Sequence, residues 1–216
     1  MKIAFSIVVI FFFFISSNAQ SRIISKDEYD KVLQFAVSET NADYPLIFKV
    51  TTSFFENGKT VRTFTVVNEN ESPGHYRIKR INLEDGKETN KYQITFGFGN
   101  VFCSDDAVSW KSSKYECSGP VMLYGRREPE SVEHNVTEKF VKGNKVKVYR
   151  EYSVFAPSKE SKKKEFREKI STIDSRGFFI TVEDTEGTLD PRAVTLTRKQ
   201  SWITKAKIKP VVSPIK

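Results

Sequence analysis

The spacing of apolar residues predicts one helix near the start of the chain and strands after it. Residues 25–28 read Ser-Lys-Asp-Glu, the S-x-x-E form of a capping box, in which a serine side chain caps the first helical turn. The helical pattern stops before Pro45. We therefore predict an amphipathic helix over residues 25–40 whose apolar side packs against another element. Its apolar positions are Tyr29, Val32, Leu33, Ala36 and Val37.

From Leu46 onward the apolar period changes to two. Alternating, β-branched or aromatic runs occur in LIFKVTTSFF, TVRTFTVVN, HYRIKRINL, NKYQITFGF, KVKVYREYSVF, EFREKISTI, FFITVED and AVTLTRKQSWI. Such runs are typical of half-buried strands. Between them, pairs such as Asn57-Gly58 supply residues that tolerate positive φ in tight hairpins. The pattern predicts a mainly β fold, an antiparallel meander of at least eight strands.

Several predicted strands carry an apolar stripe on one side, because successive strand residues point to opposite faces. A single sheet with one apolar face does not fold alone in water, so we expect it to curve around the predicted helix or around a ligand. The stripes are Leu46, Phe48, Val50 and Phe54 in the first strand, Tyr92, Ile94, Phe96 and Phe98 in a middle strand, and Val146, Val148, Tyr152 and Val154 in a later strand.

The first residues have the composition of an export signal. Lys2 precedes a nearly unbroken apolar run over residues 3–15, and small residues including Ala19 follow. The run is shorter than the ~20 apolar residues that a membrane-spanning helix needs. We predict a signal peptide over residues 1–19, with an uncleaved anchor as the alternative, and a single domain over residues 20–216. The mature protein is then expected to be soluble and exported, either periplasmic or secreted.

Charge is distributed unevenly along the chain. The formal net charge is +8 at pH 7, and the segment after Asp190 holds seven basic residues and no acidic one. We predict a closing edge strand there, followed by an arm that docks on an anionic membrane surface, since an aromatic ring beside cations suits the headgroup layer. The alternative is that its lysines only protect a sheet edge from aggregation. The candidate docking residues are Arg198, Lys199, Trp202, Lys205, Lys207 and Lys209.

The chain has only two cysteines and two histidines, which limits the chemistry it can perform. An even cysteine count in an exported chain favours a disulfide between Cys103 and Cys117, with a pair of buried reduced thiols as the alternative. His75 and His134 lack ligand spacing to either cysteine, so we expect no metal site. No G-x-S-x-G, H-E-x-x-H or P-loop sequence is present. We therefore expect a protein without catalytic residues or cofactors, not an enzyme, and export makes nucleic acid an unlikely partner.

The stretch KKKEFREKISTIDSRGFFITVED, residues 162–184, combines lysines and arginines with strand-like alternation. Glu165, Arg167 and Lys169 fall on one face of the predicted strand, and Phe166 and Ile170 fall on the other. We interpret the charged side as the solvated face of a hairpin over a buried face, with ligand recognition as the alternative.

Taken in order, an export signal, a helix, a long meander and a closing basic strand resemble the periplasmic carriers of lipoproteins and their lipid-binding relatives. The parts that carry the likeness are VKGNKVKVYREYSVF, EFREKISTIDSRGFFITVED and WITKAKIKP, within residues 25–210. The resemblance implies a strongly curved sheet, an incomplete barrel, folded over a helix. It also implies that acyl chains are held on the concave face.

Under that resemblance the protein binds or carries a lipid or a lipidated protein. The alternative is a non-catalytic structural or interaction protein of the cell envelope, in which the same side chains only fill the core. The two hypotheses differ in whether the sheet has more apolar surface than the helix covers. The candidate ligand-binding residues are Phe48, Val50, Ile94, Phe96, Tyr152 and Ile180.

Overall fold

The computed structural model describes residues 21–84, 86–97, 100–113, 117, 127–141, 143–158 and 162–215. The predicted signal peptide lies outside these residues. In chain order the elements are β1 (Ser21–Ile23), α1 (Lys26–Ala42), β2 (Leu46–Glu56), β3 (Lys59–Ser72), β4 (His75–Glu84), β5 (Lys87–Phe96), β6 (Val101–Ser104), β7 (Lys111–Ser113), β8 (Ser131–Val141), β9 (Asn144–Phe155), β10 (Glu165–Asp174), β11 (Phe179–Leu189) and β12 (Arg192–Thr204).

The twelve strands form one open antiparallel sheet in the order β1-β8-β9-β10-β11-β12-β2-β3-β4-β5-β6-β7. Two meanders, β2 to β7 and β8 to β12, are joined where β12 pairs with β2, which brings Trp202 opposite Phe48. The predicted mainly β, antiparallel fold class is confirmed. The prediction that the basic strand closes the sheet as an edge is wrong, because β12 lies between β11 and β2. Its backbone groups are already paired on both sides, so its basic side chains protect no free edge.

The predicted helix is confirmed and begins as its capping box indicates. Ser25 is the N-cap, and its Oγ accepts a hydrogen bond from the N–H of Glu28 at 3.2 Å. At the other end, buried Thr40 accepts a hydrogen bond at Oγ1 from the N–H of Phe179 at 2.8 Å, which fastens the helix to β11. No helix formed by the described residues is long and apolar enough to cross a membrane.

The core lies between α1 and the strands beneath it. Tyr29, Leu33 and Ala36 are the buried apolar side chains of the helix, as predicted. They join residues from five neighbouring strands, so one helix packs on about half of the sheet's strands. Burial of each large apolar side chain here stabilises the fold by about 1.5–3 kcal/mol. The sheet residues of this cluster are Val136, Tyr149, Ile173, Phe179 and Val182, with Trp202 packed against them.

We call the face that carries α1 the helix-side face and the other the outer face. Residues opposite each other on paired strands share a face. Val50 is opposite Gln200, and Gln200 is opposite Val182 beneath α1, so the apolar stripe of β2 lies on the helix-side face. By the same registers the stripes of β5 and β9 lie on the outer face. An apolar stripe shows which residues of a strand share a face, but not which face of the sheet that is.

The predicted disulfide between Cys103 and Cys117 is confirmed, with Cα atoms 5.9 Å apart. Hydrogen bonds also fix the position of Cys117. Oε1 of the fully buried Gln93 accepts one from the N–H of Cys117 at 3.1 Å and one from Nη1 of Arg80 at 3.3 Å. Cys103 and Gln93 are opposite each other on β6 and β5. The chain at Cys117 is therefore fixed over the helix-side face of these two strands.

The segment after β12, residues 205–215, is docked on the protein itself. The N–H of Ala206 donates to the carbonyl of Pro45 at 2.9 Å, and the N–H of Val211 donates to Oε2 of Glu71 at 2.8 Å. Nη2 of Arg77 donates to the carbonyl of Lys209 at 2.5 Å. These contacts fasten the backbone of the segment along one end of β2, β3 and β4.

Candidate ligand-binding site

The helix covers one end of the helix-side face and leaves the other end open. Beyond α1 the face borders a cavity of about 910 Å³. Its walls come from β2, β3, β10, β11 and β12, together with Arg127 and the end of β9. The cavity lies toward the β2–β3 and β11–β12 turns. The core cluster lies toward the opposite ends of the same strands.

Apolar side chains form the floor of this cavity. Val50 is opposite Val66, and Phe54 is opposite Leu196, so the floor crosses three adjacent strands. Phe64 lies between them on β3 and also lines the cavity. Leu196 is buried, but the other four are only half-buried. The apolar surface of the sheet therefore continues past the region that the helix covers.

A buried carboxylate between two arginines forms one wall. Asp184 is only 3 % exposed. Its Oδ1 lies 3.4 Å from Nη2 of Arg167, and its Oδ2 lies 3.5 Å from Nη2 of Arg198. A buried charge needs such partners, because desolvation without them is costly. Arg167 also reaches Glu186, with 3.5 Å between Nε and Oε1. No described residue accepts a hydrogen bond from the buried Nε of Arg167.

Two further arginines stand at other points of the cavity lining. Nη1 of Arg127 donates to Oε2 of Glu165 at 2.7 Å, and its guanidinium lies 5.8 Å from the centre of the Phe155 ring. On the far side, Nε of Arg62 donates to Oδ1 of Asn82 at 3.0 Å. The cavity therefore combines an apolar floor with guanidinium groups that are held in place by acceptors of the protein.

A β-bulge shapes the cavity beside the β11–β12 turn. The register between the two strands shifts between Glu186 and Gly187. A Cβ on Gly187 would overlap the carbonyl oxygen of Ala193 and lie 2.9 Å from Cε1 of Phe166. Only glycine permits this close approach of the two strands. Because bulges bend a strand and redirect its side chains, this one helps to set the direction of Glu186 beside Arg167.

The structure does not bring the six candidate ligand-binding residues together. Among them, Val50 lines the cavity. Phe48 shares its face but packs against Trp202, with ring centroids 5.1 Å apart. The registers place Ile94, Phe96 and Tyr152 on the outer face, and Ile180 at the register irregularity between β10 and β11, outside the cavity lining. Whether any of the six binds a ligand stays a prediction.

Sequence reasoning missed several residues of the cavity, although a signal was present. Alternation in RTFTVV places Arg62, Phe64 and Val66 on one face of β3, beside Phe54 on β2. Arg167 was interpreted as part of a solvated strand face, but it lies on the helix-side face against Asp184. The alternation of β10 did not show this, because both of its faces carry charged and apolar residues.

The six candidate docking residues do not form one surface either. Arg198 lines the cavity, and Trp202 packs in the core between Phe48 and Phe179, with ring centroids 5.1 Å away in both cases. Lys199 lies on the outer face, where its Nζ is 2.5 Å from Oε1 of Glu183. Docking on an anionic membrane stays a prediction for the exposed lysines of the final segment, which are Lys205, Lys207 and Lys209.

Among the described residues, the buried ionisable groups other than Asp184 lie in α1 or beneath it, outside the cavity lining. Nε2 of His134 is 3.2 Å from Oε2 of Glu151, and the His134 ring centre is 4.6 Å from that of Tyr29. Burial raises the pKa of Tyr29, and the charge of Glu151 raises it further. Within the described ranges, no cluster of three or more His, Cys, Asp or Glu side chains could hold a metal ion.

Comparisons with known proteins give two distant structural likenesses. No protein-family model and no curated protein matches the chain. A DUF1329 family protein from Desulfovibrio piger is 9 % identical, with a TM-score of 0.27, over 85 % of this chain and 94 % of that one. An inactive mutant of the CurJ dehydratase, in complex with a compound, is 8 % identical, with a TM-score of 0.18, over 85 % and 84 % of the two chains. At these TM-scores neither likeness carries an argument about function.

Proposed function

We propose that the protein binds a lipid-like molecule, with the apolar chain of the ligand lying on the floor of the cavity beside α1. The observation that carries the proposal is the continuation of the apolar helix-side face beyond the helix. A volume of about 910 Å³ is suited to a small-molecule ligand, since such pockets measure about 300–1,000 Å³.

The energetic argument rests on the half-buried floor residues. Phe54, Phe64 and Val66 keep part of their apolar surface open to the cavity. Covering apolar surface is favourable by roughly 25 cal/mol per Å². An acyl chain laid across β2 and β3 would gain this stabilisation, as Tyr29 and Leu33 do at the other end of the face.

The proposal is binding and not catalysis. Among its described lining residues the cavity has no histidine, cysteine or serine, and its ionisable groups are arginines and carboxylates in contact with one another. Such fixed polar groups beside an apolar surface suit the orientation of a bound ligand. The disulfide suits a protein that is exported to an oxidising compartment, and we propose the periplasm as that compartment.

The test is binding of a fluorescent fatty-acid probe to the purified protein and to variants of two neighbouring residues. Phe64→Asp puts a charge on the cavity floor, whereas Thr65→Asp puts the same charge on the outer face of the same strand. We expect saturable binding to the wild type and to Thr65→Asp, and binding weaker by about tenfold or more to Phe64→Asp, since a carboxylate repels the chain.

A second variant guards against loss of folding in Phe64→Asp. Val66→Trp fills the cavity with apolar atoms and should keep the fold while blocking the probe, because overpacking at a half-open site is tolerated better than in a closed core. Thermal unfolding of every variant checks the fold. Equal probe binding to all four proteins would reject the proposal, and the structural or interaction role would then replace it.

A further inference from the structure

We propose that the ligand of this cavity carries an anionic head, a carboxylate or a phosphate, which binds to Arg167 and Arg198. This inference rests on the proposed function and adds the chemical class of the ligand. It starts from the two guanidinium groups that share the single carboxylate of Asp184 in the cavity wall. They stand beside the apolar floor, so a head bound there leaves the chain on the floor.

Asp184 does not satisfy all the hydrogen-bond donors of Arg167 and Arg198. Arginine has five N–H donors. Asp184 accepts a hydrogen bond from Nη2 of Arg167 at 3.4 Å, and its Oδ2 forms an ion pair with Nη2 of Arg198 at 3.5 Å. Nε of Arg167 is buried and faces Oε1 of Glu186 at 3.5 Å, without a hydrogen bond between them. The two arginine side chains are nevertheless 43 % and 40 % exposed, so both can donate to the oxygens of a ligand in the cavity.

The charged residues that line the cavity also favour an anionic head. Its lining has four arginines, Arg62, Arg127, Arg167 and Arg198, and three carboxylates. Each carboxylate already contacts an arginine, since Glu165 pairs with Arg127 and Glu186 with Arg167. A cationic head would therefore meet guanidinium groups beside every carboxylate. A planar or tetrahedral anion would meet donors in the forked geometry that arginine offers.

The register explains how the two arginines are held. Asp184 on β11 is opposite Arg198 on β12. Glu186, two residues farther along β11 and on the same face, is opposite Arg167 on β10. Asp184 is thus a positioning residue that keeps both guanidinium groups on the helix-side face. Arg198 lies two residues from Leu196 on the same side of β12, next to the apolar floor.

The experiment compares ligands with one chain and different heads at neutral pH. Palmitate, hexadecyl phosphate, hexadecanol and hexadecylamine compete with an uncharged apolar probe for the cavity of the full-length protein. We expect palmitate or hexadecyl phosphate to bind about tenfold or more tightly than hexadecanol, and hexadecylamine to bind most weakly. The stronger of the two anions then identifies the head as a carboxylate or a phosphate.

Variants tie the preference to the two arginines. Arg167→Met and Arg198→Gln should each reduce the anion-to-alcohol preference severalfold while hexadecanol binding stays the same. Arg167→Lys should keep part of the preference. Lys199→Met, the adjacent position on β12 with its side chain on the outer face, should leave it unchanged. Because removing one partner of Asp184 can destabilise the fold, thermal unfolding and hexadecanol binding serve as folding controls.

The outcomes separate this inference from the proposed function. If anions and alcohol bind equally well, or the amine binds best, the anionic head is rejected while the apolar cavity stands. The same holds if both arginine variants keep the full preference. If no long-chain ligand displaces the probe and the probe itself does not bind, the proposed function fails and this inference fails with it.

Discussion

The two ends of the helix-side face differ in what covers them. At one end Tyr29, Leu33 and Ala36 of α1 pack against aromatic and aliphatic residues, and Trp202 lies between two phenylalanine rings. At the other end the same strands continue without a helix above them, and phenylalanine and valine remain half-buried. Among the residues that the structure describes, a helix covers the first end only. The second end has the composition of a surface that binds something else.

The difference can be followed along single strands. On β12 the helix-side positions change from Trp202 beneath the helix to Arg198 and Leu196 in the cavity. On β11 they change from Val182 to Asp184. On these two strands charged residues enter the face only past the helix, whereas beneath the helix the pair His134 and Glu151 lies on β8 and β9. Ionic groups are expensive to bury under a helix, but they are useful beside a ligand with a polar head.

The largest expected effect is a difference in stability between equivalent truncations at the two ends. Phe179→Ala leaves a cavity beneath the helix, and its free energy of unfolding should fall by about 3–5 kcal/mol. Phe64→Ala at the open end should cost only about 1–2 kcal/mol, because less of this ring is removed from water. Urea unfolding of both variants measures the difference.

Ligand-free protein is the control for that experiment, since a co-purified lipid would stabilise the open end by binding. If both variants lost the same free energy of unfolding after lipid extraction, the proposed difference between the two ends would be contradicted. That result would mean that the open end is packed as closely as the covered one, and it would favour a core that the protein fills by itself.

The next largest expected effect is a loss of stability when the disulfide at the β5–β7 end of the sheet is reduced. Reducing the bond between Cys103 and Cys117 should lower the free energy of unfolding by about 3 kcal/mol, the value for a loop of roughly 15 residues. Neither cysteine lines the cavity. Probe binding at temperatures where the reduced protein stays folded should therefore be unchanged.

A Cys103→Ser, Cys117→Ser double variant, compared by urea unfolding with and without reductant, separates the bond from side effects of the reductant. If loss of the bond also abolished probe binding, the cavity would depend on the chain around Cys117. That segment would then have to be counted among the parts of the chain that cover the helix-side face.

Much of the fold could be predicted from the sequence, because its signals are local. The capping box at Ser25 and the spacing of Tyr29, Leu33 and Ala36 give the helix and its buried side. Asn57 and Gly58 adopt φ of 50° and 74° at the β2–β3 turn, as the hairpin pattern indicates. Alternation along each strand correctly separates its two sets of residues.

The site could not be predicted in the same way, because it depends on pairings between distant strands. The β12–β2 pairing brings Leu196 opposite Phe54, and no local pattern shows that these strands are neighbours. Without it, β12 was expected at an edge, and Trp202 was expected at a membrane surface. The same gap explains why Ile94 and Tyr152, which lie on the outer face, were grouped with Val50.

The smallest expected effect tests whether the covered end is dry. Tyr29 is 2 % exposed, and its hydroxyl has no well-aligned hydrogen bond among the described residues, although the nearby Ser171 hydroxyl acts on its pKa. Tyr29→Phe keeps the ring and removes the unsatisfied group, so at pH 7 we expect the free energy of unfolding to stay unchanged or to rise by about 1 kcal/mol. Because burial and Glu151 raise the pKa of Tyr29 above its ordinary value, the folded state keeps this proton at pH values where the unfolded chain loses it. The wild type should therefore lose stability as the pH rises above about 10, and Tyr29→Phe should lose less. Urea unfolding at pH 7 and at two alkaline pH values measures both effects. A clear loss of stability at pH 7 would show that the hydroxyl is hydrogen-bonded in solution, either to Ser171 or to a water molecule beneath α1.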